Sequence, residues 1–160
     1  MIILVDGVNK TGKSTLIKYL KEEKGFETLY DRDHVYDLKN PKVKELLKEK
    51  LYDQLRIAKA VTNNFVLDRS YFSEVVYGKI WRGYDVEYLE EIEAEFKKIG
   101  AKYIYCTDEV EEINKRNEKD MSEYCSMYDK LFEGCTLEKI KINIIDINAK
   151  SEVDKFIKEK

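Results

Sequence analysis

The first fifteen residues, MIILVDGVNKTGKST (residues 1–15), decide the fold. Residues 1–5 are an apolar run typical of a buried strand, and the run ends at an Asp-Gly step. Residues 7–14 then match the phosphate-binding loop pattern G-x-x-x-x-G-K-[ST] at every position. The apolar spacing that follows predicts a helix. A strand, a glycine-rich loop and a helix in this order predict a site for the phosphates of a nucleotide.

The residue types in this loop suit the chemistry of phosphate binding. Glycines let the loop turn its backbone N–H groups toward an anion, and the N-terminus of the next helix adds a favourable dipole. Lys13 is predicted to bind the β- and γ-phosphates, and the Ser14 hydroxyl to help hold Mg²⁺. The predicted cofactors are therefore ATP and Mg²⁺. The predicted ATP-binding residues are Gly7, Asn9, Lys10, Thr11, Gly12, Lys13, Ser14 and Thr15.

Length and composition favour one globular domain over residues 1–160, with 43% hydrophobic residues, 38% charged residues and a net charge of −3. Because acidic and basic residues are interspersed, we expect no basic face for duplex DNA or RNA, and nucleic acid is not a predicted partner. Cys106, Cys125 and Cys135 lack metal-ligand spacing, which indicates reduced packing residues. No signal peptide or membrane-length apolar run is visible, so we expect a cytoplasmic protein without a membrane partner.

Strand and helix patterns alternate along the chain. Strands are predicted at residues 1–5, 26–30, 65–67, 103–106 and 140–147. Helices are predicted at residues 13–24, 41–61, 71–80 and 86–98, over 109–131 as one broken helix or two, and in a closing helix capped by Ser151. Such alternation favours a parallel sheet with right-handed crossovers. The predicted fold class is α/β, a three-layer fold of the P-loop NTPase type in which helices flank a five-stranded parallel sheet.

A second informative segment is the strand Phe65-Val66-Leu67-Asp68. An apolar strand that ends in an acid is the Walker B arrangement. In that arrangement the carboxylate lies near the phosphate loop and binds Mg²⁺ directly or through water. An acid at a strand end can also simply cap the next helix. Beside a phosphate loop, a metal or base role for Asp68 is the better interpretation, and the predicted metal ligands are Ser14 and Asp68.

Regulatory GTPases fit this sequence poorly. Their third strand is followed by D-x-x-G, whereas Asp68 is followed by Arg-Ser-Tyr. They also carry N-K-x-D after a later strand. Residues 114–117 read Asn-Lys-Arg-Asn, which lacks the acid and lies in a helical pattern.

Residues 68–77, DRSYFSEVVY, resemble two kinase families. They resemble the thymidylate kinases, in which the third strand ends in Asp-Arg-Tyr or Asp-Arg-His and a serine and an aromatic residue follow. They are equally similar to the Glu-Arg-Ser segment of the deoxynucleoside kinases, which has a serine and an acid at the positions of Ser73 and Glu74. Residues 8–13, VNKTGK, are similar to the eukaryotic-type thymidylate kinase loop, which has a basic residue at the position of Lys10.

The resemblance implies catalytic roles. Lys10 would neutralise charge on the transferred phosphoryl group, with simple solvation as the alternative. Arg69 would grip the phosphate or hydroxyl end of the acceptor, with a structural ion pair as the alternative. A basic lid is expected over residues 112–125, where Arg116 matches the lid arginine and a solvated helix face is the alternative. The predicted catalytic residues are Lys13, Asp68, Arg69, Lys10 and Arg116.

The acceptor is expected between the second strand, the long helix and the segment after Asp68. In deoxynucleoside kinases an acid after the second strand is the general base and a helical glutamine reads the nucleobase, roles that Asp31 or Asp33 and Gln54 would match. Thymidylate kinases usually carry a glutamine where this chain has Gly78, which argues against thymine recognition by that route. The Arg-Glu-Pro signature of bacterial thymidylate kinases is absent as well. The predicted substrate-binding residues are Asp31, Asp33, Gln54, Arg69, Ser73, Tyr77 and Arg82.

These observations predict a kinase, most like thymidylate kinase, that transfers the γ-phosphoryl group of ATP to a deoxynucleoside monophosphate. The close alternative is a deoxynucleoside kinase that phosphorylates a 5′-hydroxyl. Less favoured are a kinase acting on nucleic acid and a nucleotide-binding regulator without turnover. A homodimer is compatible with the resemblance, because related kinases are dimers. The chain is also shorter than typical members of either family, as compact virus-encoded kinases can be.

Overall fold

The computed structural model describes residues 1–29 and 40–158. In this part of the chain, no helix combines the length and the apolar character needed to cross a membrane. The described elements are β1 Ile2–Asp6, α1 Lys13–Lys24, β2 Glu27–Leu29, α2 Val43–Ala60, β3 Phe65–Asp68, α3 Tyr71–Tyr77, a π-helical turn Gly78–Arg82, α4 Leu89–Lys98, β4 Lys102–Cys106, α5 Val110–Asn117, α6 Ser122–Gly134, β5 Glu138–Ile142 and α7 Ala149–Lys158.

The described strands form one parallel sheet in the order β2-β3-β1-β4-β5. β1 lies at its centre, where Val5 pairs with Asp68 of β3 and Leu4 pairs with Tyr103 of β4. Because the strands are parallel, their carboxyl ends meet at the same edge of the sheet, where ligands bind in such folds. The phosphate loop after β1 and the Asp68-Arg69 step therefore lie side by side. The predicted fold class is confirmed.

Two apolar clusters cover the two faces of the sheet. Ile2 and Leu4 of β1 join a cluster with side chains from α2, α3, α4 and α6. Ile3 and Val5 join the opposite cluster, with side chains from α1 and α7. Successive residues of a strand point to opposite faces, so a strand covered on both faces must be apolar throughout. This requirement explains the unbroken apolar run of β1 and produces the three layers.

The boundaries of the fifth strand and of the closing helix were predicted wrongly. β5 covers Glu138–Ile142 rather than residues 140–147. The strand ends early because the Asn143 and Asp146 side chains each accept a hydrogen bond from the backbone N–H two residues further on, which closes local turns. α7 therefore begins at Ala149, and Ser151 lies inside this helix instead of capping it.

Two predicted helical segments are interrupted. The segment at residues 109–131 forms two helices, α5 and α6, because Glu118 at the end of α5 adopts a left-handed backbone conformation with φ of 56°. The segment at residues 71–80 continues past α3 as a π-helical turn instead of an α-helix. π-helical turns are rare in proteins, and those that occur are often found at functional sites.

Gly12 is the point at which the phosphate loop touches the loop between β5 and α7. Its φ is +85°, and a Cβ built on it would lie 1.8 Å from the Ile144 Cγ2 atom. Gly25, at the end of α1, has a similar φ of +71° but has open space around it. Comparing the two glycines separates the cost of the left-handed backbone from the cost of the close contact.

We expect Gly25→Ala to lower the free energy of unfolding by about 1 kcal/mol, since only the backbone conformation is strained. Gly12→Ala should lower it by about 1–3 kcal/mol more, because Ile144 must also move. Urea denaturation measures both. In an Ile144→Ala background, the cost of Gly12→Ala should fall most of the way to that of Gly25→Ala, because only the Cβ of residue 144 remains close, at 3.0 Å. Equal losses for the two single variants would show that the Ile144 contact is unimportant.

Candidate active site

The phosphate loop, the Walker B acid and Arg69 line a single cavity of about 340 Å³. The sequence placed these groups far apart along the chain, and the parallel pairing of β1 and β3 brings them together. The lining residues are Asn9, Lys10, Gly12, Lys13, Ser14, Asp68 and Arg69. Residues predicted to bind the nucleotide, the metal and the acceptor therefore share one space.

The loop holds its shape through its own side chains. The buried Lys13 ammonium donates to the Val8 carbonyl at 2.6 Å, and the buried Thr11 hydroxyl donates to the same oxygen at 2.8 Å. Gly7 lies so close to the Cys106 carbonyl that a Cβ would come within 2.2 Å of that oxygen. Thr15, by contrast, is exposed on the first turn of α1. The Lys13 ammonium has three N–H donors, so it can bind a phosphate while it keeps the Val8 carbonyl.

Burial changes the acidity of Lys13. Its pKa is lowered to about 8, first because burial disfavours the charged ammonium and second because the Arg69 guanidinium is nearby. An anion placed in the cavity would raise the pKa of Lys13, because a negative charge stabilises the ammonium.

Two oxygen ligands for a cation lie on the cavity wall. The Ser14 hydroxyl is exposed at the start of α1, and the half-buried Asp68 ends β3. In the described residues, no group of three or more His, Cys, Asp or Glu side chains could hold a metal by itself. Mg²⁺ binds through few carboxylates and completes its shell with water and substrate phosphates. Ser14 and Asp68 therefore fit a Mg²⁺ that arrives with a nucleotide.

Arg69 has an unusual backbone and a defined side-chain position. Its φ is 68°, in the left-handed region that few residues other than glycine adopt. The guanidinium donates a hydrogen bond to Asn9 Oδ1 of the phosphate loop. It also lies over the Tyr77 ring, 5.6 Å from the centroid. Tyr77, predicted to contact the acceptor, thus supports Arg69 from the side.

Asp6, the last residue of β1, is a buried carboxylate that the sequence analysis missed. It accepts hydrogen bonds from the backbone N–H groups of Ser70 and Ser73, at 3.0 and 3.2 Å, and from both serine hydroxyls. Burial raises the pKa of the Asp6 carboxyl, although these hydrogen bonds oppose the shift. An acid inside an otherwise apolar strand was the signal that could have revealed it.

The end of α5 forms hydrogen bonds with the phosphate loop. Arg116 Nη1 donates to the Lys10 carbonyl at 3.1 Å, and Lys10 Nζ donates in return to the Arg116 carbonyl. Asn117 Nδ2 donates to the Asn9 carbonyl at 3.0 Å. Arg116 also forms an ion pair with Asp108. The predicted lid arginine therefore binds the loop itself, and the sequence analysis missed Asn117 and Asp108.

The predicted acceptor residues occupy different environments. Ser73 is buried, and its hydroxyl contacts Asp6 and the Tyr128 hydroxyl, the latter at 2.8 Å. Arg82 folds back from the π-helical turn onto the buried Glu74, with which it forms an ion pair. Asp31 and Asp33 lie outside the described residues.

Gln54 and Tyr77 are the predicted acceptor residues with a buried polar atom that lacks a hydrogen-bond partner among the described residues. Gln54 lies on α2 with 9% of its surface exposed. Within residues 1–29 and 40–158, its Oε1 atom has no hydrogen-bond partner. A buried amide oxygen without a donor is costly to keep, which marks this position for a ligand or for a part of the chain outside those ranges.

Comparison with known proteins supports the fold. No protein-family model and no curated protein sequence matches the chain. A solved structure of YorR from Bacillus subtilis, in complex with phosphorylated GDP, is 20% identical with a TM-score of 0.74, over 98% of this chain and 94% of YorR. A deoxyadenosine kinase from M. mycoides, with dCMP and dCDP bound, is 14% identical with a TM-score of 0.64, over 99% of this chain and 97% of that one. The chain has the fold of these proteins. The predicted resemblance to deoxynucleoside and nucleotide kinases is confirmed in the fold.

The lowered pKa of Lys13 predicts a pH dependence of nucleotide binding. Phosphates beside Lys13 would raise its pKa again, so binding of MgATP near pH 8 should take up protons. Affinity should fall as the pH rises past about 8, because Lys13 then loses its charge. Calorimetric titrations in buffers of different ionisation enthalpy measure the proton uptake.

Lys13→Arg is the matched control, since a guanidinium stays protonated throughout this range. It should bind MgATP without proton uptake. If wild-type protein and Lys13→Arg take up protons equally, the titrating group is not Lys13.

Proposed function

We propose that this protein is a kinase that transfers the γ-phosphoryl group of ATP to the 5′-phosphate of a deoxynucleoside monophosphate. The observation that carries the proposal is the environment of Arg69. Its guanidinium lines the same cavity as the phosphate loop and Asp68, and it binds a neutral amide oxygen of Asn9. Among the described residues, no carboxylate lies within ion-pair distance of Arg69. A cation placed in this way supports binding of an acceptor phosphate.

The described lining of the cavity is compatible with a phosphate acceptor. Asp68 is the sole carboxylate among the described residues that line it. If Asp68 holds Mg²⁺, no carboxylate in this lining remains to take a proton from a hydroxyl. A monophosphate attacks through an oxygen that is already ionised, so its transfer requires positioning and charge neutralisation rather than a base.

In the proposed reaction, Lys13 binds the β- and γ-phosphates of ATP, beside the N–H groups of the loop. Ser14 and Asp68 would hold Mg²⁺, which when bound neutralises charge on the phosphates. Arg69 holds the acceptor phosphate so that its oxygen lies in line with the γ-phosphorus. The new O–P bond forms as the bond to the β,γ-bridging oxygen breaks, and ADP leaves.

Transfer to a deoxynucleoside is the second candidate, and the structural comparison favours it. Compared chains of this fold are named deoxyadenosine kinases, one of them solved with dATP at 15% identity and a TM-score of 0.59, over 99% of this chain and 98% of that one. A hydroxyl acceptor needs a base, for which Asp31 and Asp33 are the candidates named from the sequence. The choice of acceptor therefore separates the two functions experimentally.

The deciding experiment measures ADP release from MgATP against the four deoxynucleosides and their 5′-monophosphates. We expect one or a few monophosphates to stimulate release. Lys13→Ala should abolish it. Stimulation by nucleosides alone would establish the second candidate instead, and no stimulation by any acceptor would contradict both.

The Arg69→Ala variant tests whether Arg69 binds the acceptor phosphate. It should raise the KM for the monophosphate by roughly 10- to 100-fold, because a charged hydrogen bond to the acceptor phosphate is lost, and leave the KM for ATP little changed. Arg56→Ala is the matched control, since Arg56 is an exposed arginine of α2 that pairs only with the exposed Asp53 among the described residues. Equal KM values for wild type and Arg69→Ala would mean that Arg69 does not bind the acceptor.

Gln54 is proposed to read the acceptor base. Gln54→Leu should lower kcat/KM for the preferred acceptor by roughly 10- to 100-fold, because hydrogen bonds to the base are lost. The free energy of unfolding should stay equal or rise, since an unpartnered polar atom is replaced by an apolar one. Steady-state kinetics and urea denaturation test both. A loss of stability with unchanged kcat/KM would show that Gln54 is a structural residue.

A further inference from the structure

Asp6 is a buried acid for which the proposed reaction has no use. It is fully buried and is not among the residues that line the cavity. Its oxygens accept hydrogen bonds from protein donors on Ser70 and Ser73. A carboxylate in this state cannot reach Mg²⁺ or take a proton from an acceptor. These hydrogen bonds offset the cost of burying the carboxylate.

The hydrogen bonds of Asp6 surround the strained residue of the site. Arg69 has a φ of 68°, a strained conformation for a residue with a side chain. On one side, the Arg69 N–H donates to the Val5 carbonyl at 2.9 Å. On the other side, the Ser70 N–H donates to Asp6 at 3.0 Å. The residues that hold Arg69 in place, Val5 and Asp6, are thus the last two of β1.

Asp6 also connects helix α3 to the end of β1. Ser73, in the first turn of α3, donates to Asp6 through its N–H and its hydroxyl. The Ser73 hydroxyl in turn contacts the buried Tyr128 hydroxyl of α6 at 2.8 Å. The network joins the strand before the phosphate loop to α3 and α6. The Tyr77 ring, over which the Arg69 guanidinium lies, belongs to the same helix as Ser73.

We infer that Asp6 is a positioning residue. By accepting hydrogen bonds from Ser70 and Ser73, it holds Arg69 in its left-handed conformation, so that the guanidinium stays over the phosphate loop beside Asn9. This inference rests on the proposed function, in which Arg69 binds the acceptor phosphate. It assigns Asp6 an effect on the acceptor that it never touches.

The two oxygens of Asp6 accept different numbers of hydrogen bonds, and this difference allows a substitution test. Oδ1 accepts from both N–H groups and from the Ser73 hydroxyl, whereas Oδ2 accepts only from the Ser70 hydroxyl. In Asp6→Asn, the amide oxygen can keep the three contacts of Oδ1, and the NH₂ group can donate to the Ser70 hydroxyl. Asp6→Ala removes all of them. A positioning role therefore predicts that asparagine rescues and alanine does not.

The expected result is a split between the two substrates. Asp6→Ala should raise the KM for the acceptor about tenfold, the value of one well-placed charged hydrogen bond, while the KM for ATP changes by less than about threefold. Asp6→Asn should keep both KM values within about threefold of wild type. Crystal structures should show Arg69 released from its left-handed conformation in Asp6→Ala and retained in Asp6→Asn. Equal impairment of both variants, or an unchanged Arg69 in Asp6→Ala, would overturn the inference.

Ser70→Ala tests the same idea if Asp6→Ala does not fold, since it removes only the hydroxyl contact to Oδ2 and the cap of the Phe72 N–H. It should shift the acceptor KM in the same direction, and an unchanged acceptor KM would count against the inference. Asp154→Ala is the matched control for general loss of stability. Asp154 also pairs through both carboxylate oxygens, with Tyr19 and Lys24, but it lies on α7 away from the cavity. It should change neither KM.

Failure of this inference is distinguishable from failure of the proposed function. If the wild-type protein transfers no phosphoryl group to any acceptor, the proposed function is wrong, and the crystal structures still decide whether Asp6 holds Arg69. If transfer occurs and Arg69→Ala weakens the acceptor but Asp6→Ala does not, the function stands and the role of Asp6 is wrong.

Discussion

The parallel pairing of β1 between β3 and β4 is the constraint on which the site depends. A strand buried on both faces must have its backbone groups paired and its side chains apolar on each side. A shift in register of one residue would exchange the faces occupied by Ile3 and Leu4, so packing permits a single register. The same register aligns Val5 with Asp68. The phosphate loop and the Walker B acid are therefore positioned by apolar packing some distance away from them.

At the carboxyl edge of this sheet the protein buries two ionisable side chains, which costs free energy of folding. Lys13 and Asp6 are both buried. Burial disfavours the charged form of each, so it lowers the pKa of Lys13 and raises the pKa of Asp6. Each is satisfied locally, Lys13 by the Val8 carbonyl and Asp6 by serine donors. The contacts differ in character, because Lys13 holds one carbonyl and has further N–H donors for a phosphate, whereas Asp6 is enclosed by four donors on a single helix start.

The sequence predicted the fold well, since the fold follows from regular alternation of strands and helices. A motif without mismatch also marked the loop that lines the cavity. The sequence did not reveal that Asp6 meets Ser70 and Ser73, because only folding brings residues so distant in the chain together. The contact of Arg116 with the Lys10 carbonyl was hidden for a related reason. Whether Arg116 faces phosphate or the Lys10 carbonyl depends on the direction in which α5 leaves β4, which no local pattern encodes. Likewise the early end of β5 follows from turns formed by Asn143 and Asp146.

The reciprocal contact between Lys10 and Arg116 has a consequence for the energetics of turnover. Each side chain donates to the other's carbonyl, so neither cation can move fully onto a phosphate while the contact lasts. If these two cations bind phosphate, as the resemblance implies, breaking this contact would offset part of the intrinsic affinity for a nucleotide. The contact would reform when the product departs and would thereby favour its release.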